Sequence, residues 1–428
     1  MPLKKQIGYF LNSRAVKQGS TILFDQGTMS LLTFVSGILM ARASTAQDYA
    51  LYMLGWSLLH SVRGIHDALV DLPFTVYTPR LQNRELALYK GSTLVHTTII
   101  CLIVGVVALI TEILTPSHAG DVEGRLLQMA PLLFALLTCY IFRDFFRNAL
   151  FAQFKIWESV RINGSASLLL MILIAVFYHF QYLTPVNAYQ LFAVTFALTA
   201  AAMFWQHRSD YSFERRLLWK HFLKNCQIGL WALIGNFAYI GSRVSYPWLI
   251  LYFLNGKSVA AYYACLAIAV APAPFLRASS AYILPRMSHS YKDGSADSLI
   301  RLLRKSILYL GIPYVFWLLC GIFFSEEVIK FFYNEKYHGY GLLFILLLIM
   351  ATIDFVFAPL TSALQVLEKT RAITVSLIIG AVLTLPLGSF LIERYGLYGA
   401  GTASIISMVG TIGWRIFVFT RNTPQPSS

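Results

Sequence analysis

Arg143, Asp144 and Arg147 interrupt an apolar, aromatic run, CYIFRDFFRNALF, between Cys139 and Phe151. Arg143 and Arg147 stand four residues apart and share a helix face, while Asp144 and Arg147, three apart, can pair. The chemistry open to them is electrostatic. A guanidinium stays charged in an apolar setting and offers a planar fork that matches carboxylate or phosphate oxygens. An Asp144–Arg147 pair leaves Arg143 for a ligand. The competing reading is that Arg147 sits near the membrane interface and extends its side chain to water.

Other ionisable residues fall within apolar stretches: Asp25, Arg63, His96, Arg243 and Asp354. Each costs roughly 3 kcal/mol near a bilayer centre, so a watery cavity is the expected setting rather than lipid. Asp25 and Asp354 either neutralise these arginines or carry a coupling cation, and Asp144 has the same choice. His66, His96 and His179 show no ligand spacing, and Cys101, Cys139, Cys226, Cys265 and Cys320 have neither a disulfide nor a metal pattern. No metal site is expected. Pro247, Pro272 and Pro274 would break or kink their helices, either as hinges of moving walls or as static packing features.

These residues must be held by membrane-spanning helices. The chain has 428 residues, of which 57% are hydrophobic and 13% charged, and its mean hydropathy is +0.62. Apolar segments of about 20 residues recur throughout, each long enough to cross about 30 Å of hydrocarbon. About twelve are expected, at approximately 20–41, 48–70, 92–114, 126–149, 160–180, 187–206, 225–250, 258–281, 305–324, 339–362, 372–392 and 397–419. Residues 1–20 are polar and basic, so no cleavable signal peptide is expected.

The formal charge of +14 reports topology rather than nucleic-acid binding. With a cytosolic N-terminus, about 26 Lys and Arg face the cytosol and about six the outside. Both termini are then cytosolic, and the excess charge meets anionic lipid headgroups. A shift of about 211 residues places Lys4-Lys5 on Arg215-Arg216 and Ala50-Leu51-Tyr52 on Ala261-Tyr262-Tyr263. The expected fold is therefore all-α and polytopic, with two parallel six-helix lobes related by a pseudo-two-fold axis along the membrane normal. The lobes are assigned to 1–206 and 225–428, joined by a polar linker, 207–224. Basic segments 3–17 and 211–224 either lie in the membrane plane or serve as ordinary linkers.

Enzymatic patterns are largely missing, and the chain is not expected to be an enzyme. There is no Gly-rich phosphate loop ending in Lys and Ser/Thr. No cofactor is expected beyond a proton or sodium gradient. The external segments are short, and Glu326-Glu327 reads as surface acid rather than a metal-binding loop.

Four stretches resemble the oligosaccharide and polysaccharide flippases (Wzx-like, polysaccharide biosynthesis proteins) of the multidrug/oligosaccharidyl-lipid/polysaccharide exporter superfamily. They are LLTFVSGILMARASTAQDYALYML, FRDFFRNALFAQFKIWESVRING, AYYACLAIAVAPAPFLRASSAYILPRMSHSYKDG, and FYNEKYHGYGLLFILLLI through PLTSALQVLEKTRA to RYGLYGAGTASIISMVG. The resemblance implies alternating access and a polyprenyl-pyrophosphate-linked oligosaccharide carried from the cytosolic to the external leaflet for O-antigen or exopolysaccharide assembly. It implies a bacterial inner-membrane location, with polysaccharide polymerase and glycosyltransferases as partners. Cavity cations would hold the pyrophosphate, and the candidates are Arg143, Arg63 and Arg243, then Arg147 and Arg277.

One departure from that family concerns coupling. The stretch GSRVSYPWL carries Arg243 without a neighbouring acid, so ion coupling through the seventh span is open. Three other readings compete. A drug or metabolite antiporter would want cavity acids for cationic cargo, and arginine outweighs acid here. A major-facilitator carrier would show Gly and Asp followed by basic residues between spans two and three, unlike DLPFTVYTPRLQNRE. A membrane polysaccharide polymerase or ligase would want larger external segments.

Overall fold

The computed structural model describes residues 14–114, 122–153, 155–291 and 296–423. Among them every regular element is helical, as the composition requires, because in hydrocarbon a backbone must satisfy its own hydrogen bonds. Six described helices are long and apolar enough to span a membrane; a seventh arises if Val122–Gln128 and Ala130–Ala152, bent by 61°, form one span. The expected all-α polytopic architecture is the observed one. Several of its spans are interrupted rather than straight.

Three interruptions follow from proline chemistry. Helix Ala46–His66 passes into a π-helical turn, Asp67–Asp71, just ahead of Pro73, and helix Arg215–Tyr239 into a second, Ile240–Val244, ahead of Pro247. Proline donates no hydrogen bond and its ring crowds the preceding turn, which a wider turn relieves. The eighth expected span breaks between helices Gly256–Ala269 and Ala273–Ser290, with Pro272 in the gap and Pro274 in the first turn beyond it.

The chain divides into two compact units, 1–236 and 237–428. The division falls inside helix Arg215–Tyr239 and not in the polar stretch 207–224. That stretch is no separate surface helix. Arg208–Asp210 forms one 3-10 turn, and residues from Arg215 onward belong to the long helix. The counterpart segment 3–17 lies outside the described residues up to residue 13.

In the first unit, helix Ala130–Ala152 packs along Pro185–His207 and Asn83–Leu114, and Arg14–Ala43 packs along Ile156–His179. A core of Phe74, Tyr89, Phe145, Phe146, Leu150 and Met203 fills one end. Polar caps set helix starts: the Thr45 side chain accepts from Asp48 N at 3.1 Å while its hydroxyl donates to the Asp48 carboxylate at 2.7 Å. Leu102, Ile103, Val106, Val107, Ile110 and Ile113 remain exposed along one helix, a face suited to lipid.

The second unit contains a fold-back concealed within one stretch. Helix Thr370–Asn422 is two helices joined at Gly396, where φ is 59° and ψ −138°. Ser407 Oγ donates to Gly380 O at 3.0 Å, and Arg415 Nε donates to Ser376 Oγ at 2.9 Å. The limbs therefore run antiparallel. Small residues permit the approach: a Cβ on Gly399 would lie 1.9 Å from Leu391 O.

Candidate functional site

Three of the sequence-derived arginines fall into charged clusters, Arg63 and Arg143 in the first unit and Arg243 in the second. In the first, Asp144 is the hub. Its Oδ2 lies 3.0 Å from Arg63 Nε and its Oδ1 3.1 Å from Arg143 Nη1. The expected pairing of Asp144 with Arg147 is not the one formed. Arg63 arrives from helix Ala46–His66, closer than the residue one turn along the helix, and Arg147 lies over the Phe151 ring, 4.7 Å from its centroid.

Arg63 is satisfied on several sides. Its Nη2 meets Asp67 Oδ2 at 3.1 Å, its Nη1 donates to Tyr140 OH at 3.2 Å, and its guanidinium stands 4.9 Å from the Tyr140 centroid. Arg143 is buried. Its Nε donates to Asn163 Oδ1 at 3.0 Å, its Nη2 to Met29 Sδ at 3.1 Å, and it lies over Phe196 at 4.7 Å. Asn163 is itself oriented, donating through Nδ2 to Ser159 O and Oγ, each at 3.1 Å. A network paired in this way tolerates burial, whereas loss of one member leaves an uncompensated charge.

In the second unit, Arg243 on the π turn reaches Asp354 with Nη2–Oδ1 3.1 Å and Nη1–Oδ2 3.4 Å. The acid missing beside Arg243 in sequence is thus supplied by helix Gly341–Val356. Met408 Sδ accepts from Arg243 Nη2 at 3.3 Å. Arg243 and Asp354 line a cavity of about 520 Å³, together with Tyr246, Ser404, Ser407 and Arg415.

Arg415, which the Lys and Arg count for topology places among the cytosolic basic residues, also lines this cavity. It is buried, at 7% exposure. Its Nε donates to Ser376 Oγ at 2.9 Å and its Nη1 to Thr361 Oγ1 at 3.0 Å. Among the described residues both bonds go to hydroxyls and neither to a carboxylate. A signal was present: Ser404, Ser407, Thr411 and Arg415 recur at helical spacing, and so do Ser376, Gly380, Thr384 and Gly388, giving one polar or small stripe per limb. The cavity wall consequently carries two guanidiniums against one carboxylate.

The remaining candidates are placed as follows. Asp25 lies in helix Arg14–Ala43 and Arg277 in Ala273–Ser290, their side chains outside the described residues. Pro247 is buried beside the cavity residue Tyr246, and Pro272 accepts through its carbonyl from Tyr314 OH at 3.2 Å. The five cysteines are free thiols.

These features describe a multi-pass, all-α membrane protein with buried charge networks in each unit. No family model matches the chain, and no curated protein matches it. Solved structures do share its fold. An inward-facing multidrug resistance MATE family transporter of the MOP superfamily superposes with TM-score 0.73 at 13% identity, over 95% of this chain and 100% of that one. The lipid II flippase MurJ, in an inward closed conformation, gives 0.70 at 13% identity over 93% and 87%. A MOP superfamily transporter from Pyrococcus furiosus, described by a binding pocket of reversed polarity, gives 0.63 at 10% identity over 96% of each chain. At such identities the likeness is one of fold.

Proposed function

We propose that this protein is a flippase for a polyprenyl-pyrophosphate-linked oligosaccharide, moving it from the cytosolic to the external leaflet of a bacterial cell membrane by alternating access. The observation that carries this reading is the cavity in the second unit, where Arg243 and Arg415 outnumber Asp354. A pyrophosphate leaving water for a low-dielectric path needs fixed cations, and preformed guanidiniums supply bidentate donors without a reorganisation cost. Arg415 suits the role because its described partners are neutral hydroxyls, which a phosphate oxygen can replace at little electrostatic cost. Arg243 keeps the cavity cationic while Asp354 holds its orientation.

Arg63 and Arg143 act in the first unit as an oriented, largely neutralised network, with Asp144 as counter-ion. The protein works as a carrier and not as an enzyme, and the gradient that drives it is a proton or sodium gradient. In a strain lacking the chain, lipid-linked repeat units should accumulate on the cytosolic leaflet, measured by lipid mass spectrometry with a leaflet-selective probe. Units that reach the outer leaflet at the normal rate would reject the reading.

The fold likeness to a multidrug transporter favours a second reading, an antiporter of drugs or metabolites. The two differ in the charge of the cargo. Cationic drugs would meet a net positive wall in this cavity, so drug resistance unchanged on deletion separates the readings.

A further inference from the structure

We propose that His66, Asp67 and Asp71 bind a divalent transition-metal ion on the π turn of the second span. One ligand atom from each residue lies within 4.8 Å of the others. The site belongs to the first unit alone, and it goes beyond the transport reading.

The local helix geometry creates the cluster. In an α-helix His66 and Asp71, five residues apart, would point about 140° away from one another. The π turn Asp67–Asp71 closes with Leu72 N donating to Asp67 O, and its i→i+5 pattern stacks residues five apart. His66, Asp67 and Asp71 thereby share one face.

Hydrogen bonding fixes the tautomer of His66. The Thr97 hydroxyl donates to Thr93 O at 3.0 Å, and the same oxygen lies 3.0 Å from His66 Nε2. With its only hydrogen spent on Thr93, Thr97 Oγ1 must accept, so Nε2 carries the proton. In the neutral ring Nδ1 then presents a lone pair. That lone pair faces Asp71 Oδ2 at 3.5 Å, a gap that either a proton on Nδ1 or a metal ion bound to both atoms would bridge.

Burial sharpens the problem. The His66 and Asp71 side chains are 1% and 7% exposed, and His66 Nδ1, Asp67 Oδ1 and both Asp71 oxygens are buried without a hydrogen-bond partner. Arg63 pairs with Asp67 Oδ2 and with Asp144, which leaves Asp67 Oδ1 as the oxygen open to an ion. A cation resolves this. Zinc-type bonds of about 2.0–2.2 Å place two ligand atoms of a tetrahedral site about 3.4 Å apart, close to the Nδ1–Oδ2 separation. An imidazole donor selects a transition metal over sodium or magnesium. The Thr97 bond to Nε2 is the outer-shell contact that orients a metal-bound histidine, and Asp67, 39% exposed, provides the way in from water.

The test uses the full-length, tag-free protein in detergent, titrated with Co2+ and followed by its visible ligand-field absorption. One equivalent should bind, be displaced by Zn2+, and resist excess Na+ or Mg2+. His66→Gln and Asp71→Asn should each weaken binding at least tenfold, whereas His338→Gln, remote in sequence, should leave it unchanged. If either buried variant aggregates, Asp67→Asn at the exposed edge replaces it with the same expectation. No stoichiometric binding by the wild type, displacement by sodium at matching concentration, or undiminished binding by the variants would overturn the proposal.

Discussion

Arg243 and Asp354, 111 residues apart in the chain, meet through two guanidinium–carboxylate contacts of 3.1 and 3.4 Å in the wall of a cavity. The pair orients an arginine that a ligand can still approach, since the two side chains retain 23% and 33% exposure. Removing one partner strands the other's charge. For buried pairs that loss is about 3–5 kcal/mol, and partial exposure puts this one at or below the low end. Asp354→Ala should therefore lower the thermal unfolding temperature more than Asp354→Ala combined with Arg243→Met, although both abolish export. Equal stability in the single and double variants would show the pair to be uncoupled.

Asn163 orients Arg143. Substitution by Leu removes the acceptor of Arg143 Nε and leaves a buried charged donor unpaired, a loss of about 1–3 kcal/mol or more. Asn163→Leu should fall measurably in thermal stability, and Asn163→Asp, which restores an acceptor, should fall less. Identical effects would mean that Asn163 serves only packing.

How much of this was legible beforehand differs from residue to residue. The helical class and the placing of Arg63, Arg143 and Arg243 away from lipid follow from apolar run lengths and from the cost of charge in lipid. The partner of Asp144 did not, because Arg63 reaches it from another helix, and helix spacing records only neighbours one turn away. Arg415 was hidden by its nearness to the chain end, where counting basic residues for topology assigns every arginine to the interface. The π turns were hidden too. Proline announces a break, but not that a widened turn will bring His66 onto the face of Asp71.

Gly396 turns the chain between two antiparallel helices with φ at 59°, a conformation that non-glycine residues hold at about 1–3 kcal/mol. Gly396→Ala should destabilise the protein by that order. Gly413→Ala, whose added carbon meets open space, should be neutral or slightly stabilising, as alanine favours helix. Thermal unfolding of the two variants decides the matter, and equal values would contradict the strained turn.

Topology is tested by cysteine labelling in a background without native cysteines. His338→Cys should react with an impermeant reagent from outside, and Lys292→Cys only after the cytosolic side is opened. The reverse pattern would invert the orientation inferred from the Lys and Arg distribution.

The role of Arg415 can be tested in proteoliposomes containing a polyprenyl-pyrophosphate oligosaccharide, by following its appearance in the opposite leaflet with a carbohydrate-cleaving enzyme added outside. Wild-type protein should accelerate the crossing, Arg415→Ala should lose at least nine-tenths of that acceleration, and Arg415→Lys should recover part of it. Crossing at the protein-free rate with wild-type protein, or at the wild-type rate with Arg415→Ala, would contradict a cationic cavity that carries a pyrophosphate.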